Sequence, residues 1–214
     1  MCPEGNPNKK RPSNLSKMEL VKYCYESVIT AFPRSEITFL VDKPNLELIN
    51  LIDSCPNLHT IATFHFGSWD EGNIGTFHNQ LDLAVKDGGK VLLLEDDYFF
   101  LPGAEYIIEN ALDKLEFLTP YDHPGYYTED IHNYKREIIV AGGHHWQTIT
   151  STTLTFATTS KALENVIETM KKYGWQDHNM WLEITKNHKL YSPIPSLATH
   201  MESPYLAPAI NWGF

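Results

Sequence analysis

Residues 88–103, GGKVLLLEDDYFFLPG, run from a Gly-Gly turn through four aliphatic residues into Glu95, Asp96 and Asp97, then into aromatics before Pro102 and Gly103. A short all-apolar run bounded by turn residues reads as a strand buried on both faces. Strands covered on both faces belong to α/β architectures, in which ligands sit outside the carboxyl ends of the strands. Three adjacent acids there repel one another and are costly to bury, so the triplet points into a ligand crevice. An oxygen-preferring divalent cation, Mg²⁺ or Mn²⁺, is the simplest compensating charge. Acids merely solvated at a strand end are the plainer alternative, and the aromatic run directly after them weighs against it.

Upstream, Ser16 with Glu19 three positions on has the form of a capping box and opens a helix to about residue 31. Residues 36–42 (EITFLVD) alternate as a strand, 45–55 carry Leu and Ile at helical spacing, and 58–64 (LHTIATF) form a second strand. The glycines of 67–75 (GSWDEGNIG) mark a loop, followed by a helix to about residue 85. Downstream, 103–115 is helical and 117–124 holds a short strand. Residues 135–160 read as two strands about the Gly142-Gly143 turn, 160–174 as one helix closed by Gly174, and 176–189 as another. The tail from residue 190, with four prolines, reads as extended or looped. Strands alternating with helices predict an α/β fold in a single domain, residues 1–214, with a mostly parallel central sheet flanked by helices and a small antiparallel hairpin subdomain.

Composition narrows the partners. The 214 residues are 42% hydrophobic and 21% charged, and 27 acidic against 17 basic residues give a formal net charge of −10. Such a chain repels nucleic acid and anionic membranes, and the one basic cluster, Lys9-Lys10-Arg11, suits a small anion such as a diphosphate better than a nucleic-acid backbone. No stretch approaches the roughly 18 apolar residues of a membrane span. Cys2, Cys24 and Cys55 make neither an even set nor a metal pair, which points to a reducing, cytoplasmic setting with each cysteine a small apolar residue.

The segment VLLLEDDYFFLPGA resembles the acidic metal-binding signature of nucleotide-sugar glycosyltransferases of the GT-A fold, and GNIGTFHNQLDLAVKDGGKVLLLEDD has the order of glycine, asparagine and acid that many of them show before it. CPEGNPNKKRP, LTPYDHPGYY, TSTTLTFA and SPIPSLATHMESPYLAP extend the resemblance, over nearly the whole chain, to the chlorella-virus glycosyltransferase domain and its relatives. The departure is at the start: a GT-A fold opens on a strand leading into the nucleotide loop, whereas this sequence starts almost at the loop, so either residues 1–3 form a vestigial strand or that strand is missing.

The resemblance implies Asp97 as direct metal ligand, Glu95 and Asp96 near the ribose and the metal's water shell, and His200 as the histidine completing the metal site; an isolated histidine is otherwise a hydrogen-bonded surface residue. Arg11 can offer a planar fork to phosphate or base and Asp42 can accept from base or ribose, against readings as a solvated loop arginine and a helix-capping aspartate. Gly72 and Asn73 would let backbone and amide approach the donor, or serve a turn. Asp177, in GWQDHNMW, stands where many inverting GT-A enzymes keep the base that activates the acceptor hydroxyl; a helix N-cap is the alternative, and Asp122 is the second choice of base. Trp175 and Trp181 could stack on sugars, with Trp146 of GGHHWQ a further platform and Tyr121, Tyr126 and Tyr127 lining an acceptor pocket.

The function expected is transfer of a hexose or deoxyhexose from a nucleoside-diphosphate sugar, most simply UDP-linked, to a glycan hydroxyl with Mn²⁺ or Mg²⁺. For a relative of the viral domain this would be coat-protein glycosylation in the host cytoplasm. A sugar-phosphate nucleotidylyltransferase shares such a fold and metal, but the GxGxR signature usual there is absent. A non-catalytic carbohydrate-binding module would need only the tryptophans.

Overall fold

The computed structural model of the chain describes Met1 and residues 9–213; the irregular segment expected over most of 1–14, including Cys2, therefore lies largely outside the described residues. The first half alternates as expected: α1 (Lys17–Ala31), β1 (Ile37–Asp42), α2 (Leu46–Asp53), β2 (His59–Phe64), α3 (Trp69–Asp87) and β3 (Lys90–Leu93). Ser16 and Glu19 close a reciprocal capping box at the start of α1. β1 and β2 pair in parallel, as a helical crossover requires, and their core is built from Val21 and Tyr25 of α1, Phe39 and Val41 of β1, and Leu48 and Ile52 of α2. On the other edge of β1, the Met1 amine donates to the Leu40 carbonyl at 2.6 Å and the Asp42 N–H donates to the Met1 carbonyl at 2.9 Å. That two-bond pattern is the one a parallel neighbour makes, so Met1 takes a strand position beside β1.

The stretch 67–75 is helical from Trp69 onward, which corrects the loop its glycines suggest. Ser68 caps α3 by accepting from the Glu71 N–H, and Asp70 and Glu71 complement the helix dipole in the first turn. The glycines serve packing: a Cβ on Gly72 would lie 2.8 Å from Asp42 Oδ2, and one on Gly75 would strike the Phe66 ring at 2.4 Å.

After β3 the chain forms β4 (Tyr98–Phe100), α4 (Ala104–Ala111), β5 (Phe117–Leu118), α5 (Gly125–Thr128), the hairpin β6 (Ile138–Ala141) and β7 (His144–Ile149), β8 (Phe156–Thr159), α6 (Ser160–Glu164), α7 (Ile167–Tyr173), α8 (Asp177–Ile184), β9 (Leu190–Ile194) and β10 (Ala198–His200). Among the described residues the main sheet has six strands in the order β3-β8-β5-β9-β7-β6, and only β5–β9 is a parallel pair. The protein is thus α/β, but the sheet is mostly antiparallel, contrary to the expectation from helix–strand alternation. The cause is β8, a third strand in 135–160 that enters antiparallel between β3 and β5. The β6–β7 hairpin forms the edge of this same sheet and is no separate subdomain. The stretch 160–174 splits into two helices at Asn165-Val166, and the tail contributes two strands.

Each strand sends alternate residues to opposite faces. Phe117, Phe156 and Leu190 meet Phe77 and Leu81 of α3 and Met180 and Trp181 of α8 on one face. Leu118, Ala157 and Tyr191 meet Ile108 and Leu112 of the α4 region on the other. A sheet covered on both faces leaves the strand ends as the place for a site. Among the described residues no helix is long and apolar enough to cross a membrane.

Candidate functional site

β3 ends at Leu93, and Glu95, Asp96 and Asp97 form the turn into β4, which leaves the main sheet to pair antiparallel with β10. In that pairing His200 stands opposite Tyr98, and the Met201 N–H donates to the Asp97 carbonyl at 2.8 Å. The tail strand thereby brings His200 Nε2 to 3.3 Å from Asp97 Oδ2, across 103 residues of sequence.

In front of the triplet lies a cavity of about 980 Å³, near the top of the range for ligand pockets. Glu95, Asp96 and Asp97 form one wall, Asp42 with Gly72 and Asn73 of α3 a second, and Arg11 and Asp177 approach from the N-terminal segment and the start of α8. Eight of the ten residues singled out by sequence thus share one space, and His200 stands directly behind Asp97. Asp122 does not join them. It is 3% exposed and accepts from Tyr127 Oη, Gln147 Nε2 and Ser192 Oγ, outside this cavity.

Two lysines complete the wall: Lys9, from the basic cluster read in the sequence, and Lys17, which carried no sequence signal. Lys9 Nζ lies 2.7 Å from Asp97 Oδ2 and 3.4 Å from His200 Nε2, and the Nζ of Lys17, the first residue of α1, lies 2.6 Å from Asp96 Oδ1. Burial raises the Asp97 carboxyl, but His200, Lys9 and Lys17 outweigh it and hold the group well below the usual carboxylate range. Glu95 goes the other way, pushed up to about 7 by burial and by the Asp97 charge, so it is part-protonated near neutrality. Asp177 is also raised by burial. Its Oδ1 accepts from the His178 N–H, and it occupies the first turn of α8 while Gln176 holds the capping position. The N-cap alternative therefore does not apply.

Asp97 Oδ1 is buried and has no hydrogen-bond partner among the described residues. An orphaned carboxylate oxygen fits an oxygen-preferring divalent cation, and an imidazole nitrogen stands 3.3 Å from the other oxygen of the same carboxylate. Among the described residues no three metal-ligating side chains converge into a closed centre.

The aromatics sort differently from their sequence reading. Trp146 and Trp181 are fully buried, their indole N–H groups donating to the Ala141 and Thr153 carbonyls, so neither is a sugar platform. Trp175 is half exposed and lines the cavity; Tyr127 is exposed and holds Asp122, while Tyr121 and Tyr126 wall a second, smaller cavity. Cys24 and Cys55 are core thiols. No family model matches the chain, and no curated protein matches it.

Proposed function

We propose that the protein is a GT-A-like glycosyltransferase that moves a hexosyl or deoxyhexosyl group from a nucleoside-diphosphate sugar to a hydroxyl of a glycan. The observation that carries the reading is Asp97 Oδ1, unpartnered among the described residues, at the foot of a cavity whose other walls bring Lys9, Lys17 and Arg11 to the place where a diphosphate would lie. A divalent cation held by Asp97 and His200, with Glu95 near its water shell, would stabilise the negative charge that gathers on a leaving diphosphate. Arg11 and Lys9 bind phosphate oxygens, and Asp42, at the end of β1, accepts from the nucleoside. Asp177 takes the proton of the acceptor hydroxyl; burial, by raising its proton affinity, makes it a better base than an exposed aspartate.

Lys9 favours a second reading. Its ammonium already sits on Asp97 and could supply the positive charge itself, with no metal required. Release of UDP from UDP-glucose and UDP-galactose, with Mn²⁺ or with EDTA, separates the alternatives. Release that needs Mn²⁺ supports the first reading and equal release in EDTA the second. No release in either, with saccharide binding retained, would leave only a carbohydrate-binding module.

A further inference from the structure

Behind Asp177 lies a second cavity of about 240 Å³, and Asp177 and His178 belong to the walls of both. At a little below the usual volume of a drug-sized pocket, it suits a single ring. Tyr121, His123 and Tyr205 give it aromatic walls; the His123 and Tyr205 rings lie 5.4 Å apart and 31° from coplanar, and the Tyr121 hydroxyl is tied to the Tyr205 carbonyl. Such rings present apolar faces to the C–H face of a pyranose and polar tips to its hydroxyls.

The decisive group is His132. It sits in a short 3-10 turn, is 6% exposed, packs edge-on against Tyr126 at 5.0 Å, and lines this cavity. Its Nδ1 is buried and has no hydrogen-bond partner among the described residues. Leaving such an atom unpaired costs about 1–3 kcal/mol, a cost that a ligand hydroxyl would remove once a turn of the ring presents the nitrogen to the cavity. The surroundings disfavour a charged ligand. Burial lowers the proton affinity of His132 and pushes His123 down to about 4, so both rings are neutral at pH 7, and the carboxylates of Glu129 and Asp177 on the walls repel an anion.

We propose that this cavity is the acceptor subsite, that it takes the terminal ring of a neutral saccharide, and that His132 bonds a ring hydroxyl and so selects which hydroxyl faces Asp177. The inference rests on the glycosyl-transfer reading for the role of Asp177, but saccharide binding can be tested without it. The probes are the methyl glycosides of glucose, galactose, mannose, xylose and fucose, with methyl glucuronide as the anionic counterpart. Ligand-observed NMR on the wild type should show binding of at least one neutral glycoside and none of the glucuronide. The ¹⁵N resonance of His132 should shift on binding, and His132→Phe should weaken it about tenfold. A silent His132 resonance with every neutral glycoside, or glucuronide binding as well as they do, would overturn the proposal even if His132→Phe failed to fold. UDP–Mn²⁺ binding to the wild type, measured in parallel, keeps the two readings apart. Saccharide binding without it would sink glycosyl transfer and leave the pocket; the reverse would sink the pocket alone.

Discussion

Replacing Asp97 by asparagine removes one charge and keeps the shape, and its cost follows from the contacts. Oδ2 faces the Lys9 ammonium at 2.7 Å and His200 Nε2 at 3.3 Å, so the substitution leaves the ammonium without its counter-charge and the imidazole without its carboxylate. Breaking a fully buried pair costs about 3–5 kcal/mol and an exposed one about 0–1 kcal/mol. The Asp97 side chain is 10% exposed but that of Lys9 is 33%, which places the loss between these, at about 1–3 kcal/mol. For a chain of this size that lowers the melting temperature by roughly 2–12 °C. The functional effect is separate. UDP with Mn²⁺ at a hundred times its Kd should stabilise the wild type by about 2.7 kcal/mol, a rise of roughly 5–11 °C, and Asp97→Asn should show none of it. Thermal melts of both proteins, alone and with UDP, Mn²⁺ and the two together, read both quantities. An asparagine variant that keeps the full Mn²⁺-dependent rise would refute the assignment of the site.

Asp177→Asn should leave UDP–Mn²⁺ binding within about twofold and cut sugar transfer by about 10²–10⁴, the usual span for a general base; retained transfer would clear Asp177 of that role. Asp122 gives a pH signature: burial pushes its carboxyl up to about 6, against bonds from Tyr127, Ser192 and Gln147 that lower it. The folded protein therefore holds this proton more tightly than the unfolded chain, and stability contributed by the protonated form is lost as pH rises from about 4 through 6, by a total on the order of 3 kcal/mol. Urea melts of wild type and Asp122→Asn at pH 4 and pH 7 should show their difference moving by about that amount in the variant's favour at pH 7, and a flat difference would contradict it. Gly142→Ala should cost about 2–5 kcal/mol, because φ is 56° and the new Cβ would lie 2.4 Å from the Ile107 carbonyl of α4, whereas Gly143→Ala, with φ 73° and open space, should cost only about 1–2 kcal/mol. Equal losses in the two alanine variants would show that α4 yields.

What could be read in advance was what short-range chemistry dictates. The capping box at Ser16, the periodicity of β1, α2 and β2, and the Gly142-Gly143 hairpin turn are set by neighbours a few residues apart. The strand VLLL announces burial on two faces, but burial carries no direction, so nothing local reveals that β8 returns antiparallel beside it. Gly72 and Gly75 suggest a turn because the partners that need their missing Cβ atoms, Asp42 and Phe66, come from other elements. Likewise Lys9 and Lys17 meet their carboxylates across 88 and 79 residues, and the tryptophans that suggest sugar platforms are claimed by the core. The acidic triplet was legible because the physical conflict of three acids after an apolar strand is itself local. His132 carried no such signal: the rings that bury it, those of His123, Tyr126 and His178, come from other parts of the chain.

The most direct measurement is anomalous scattering from crystals grown with MnCl₂ and UDP. A manganese peak within about 2.5 Å of Asp97 Oδ1, sharing an oxygen of the diphosphate and present only with nucleotide, is the expected result. Nucleotide ordered elsewhere, or Lys9 still seated on Asp97 with no manganese beside it, would contradict the account.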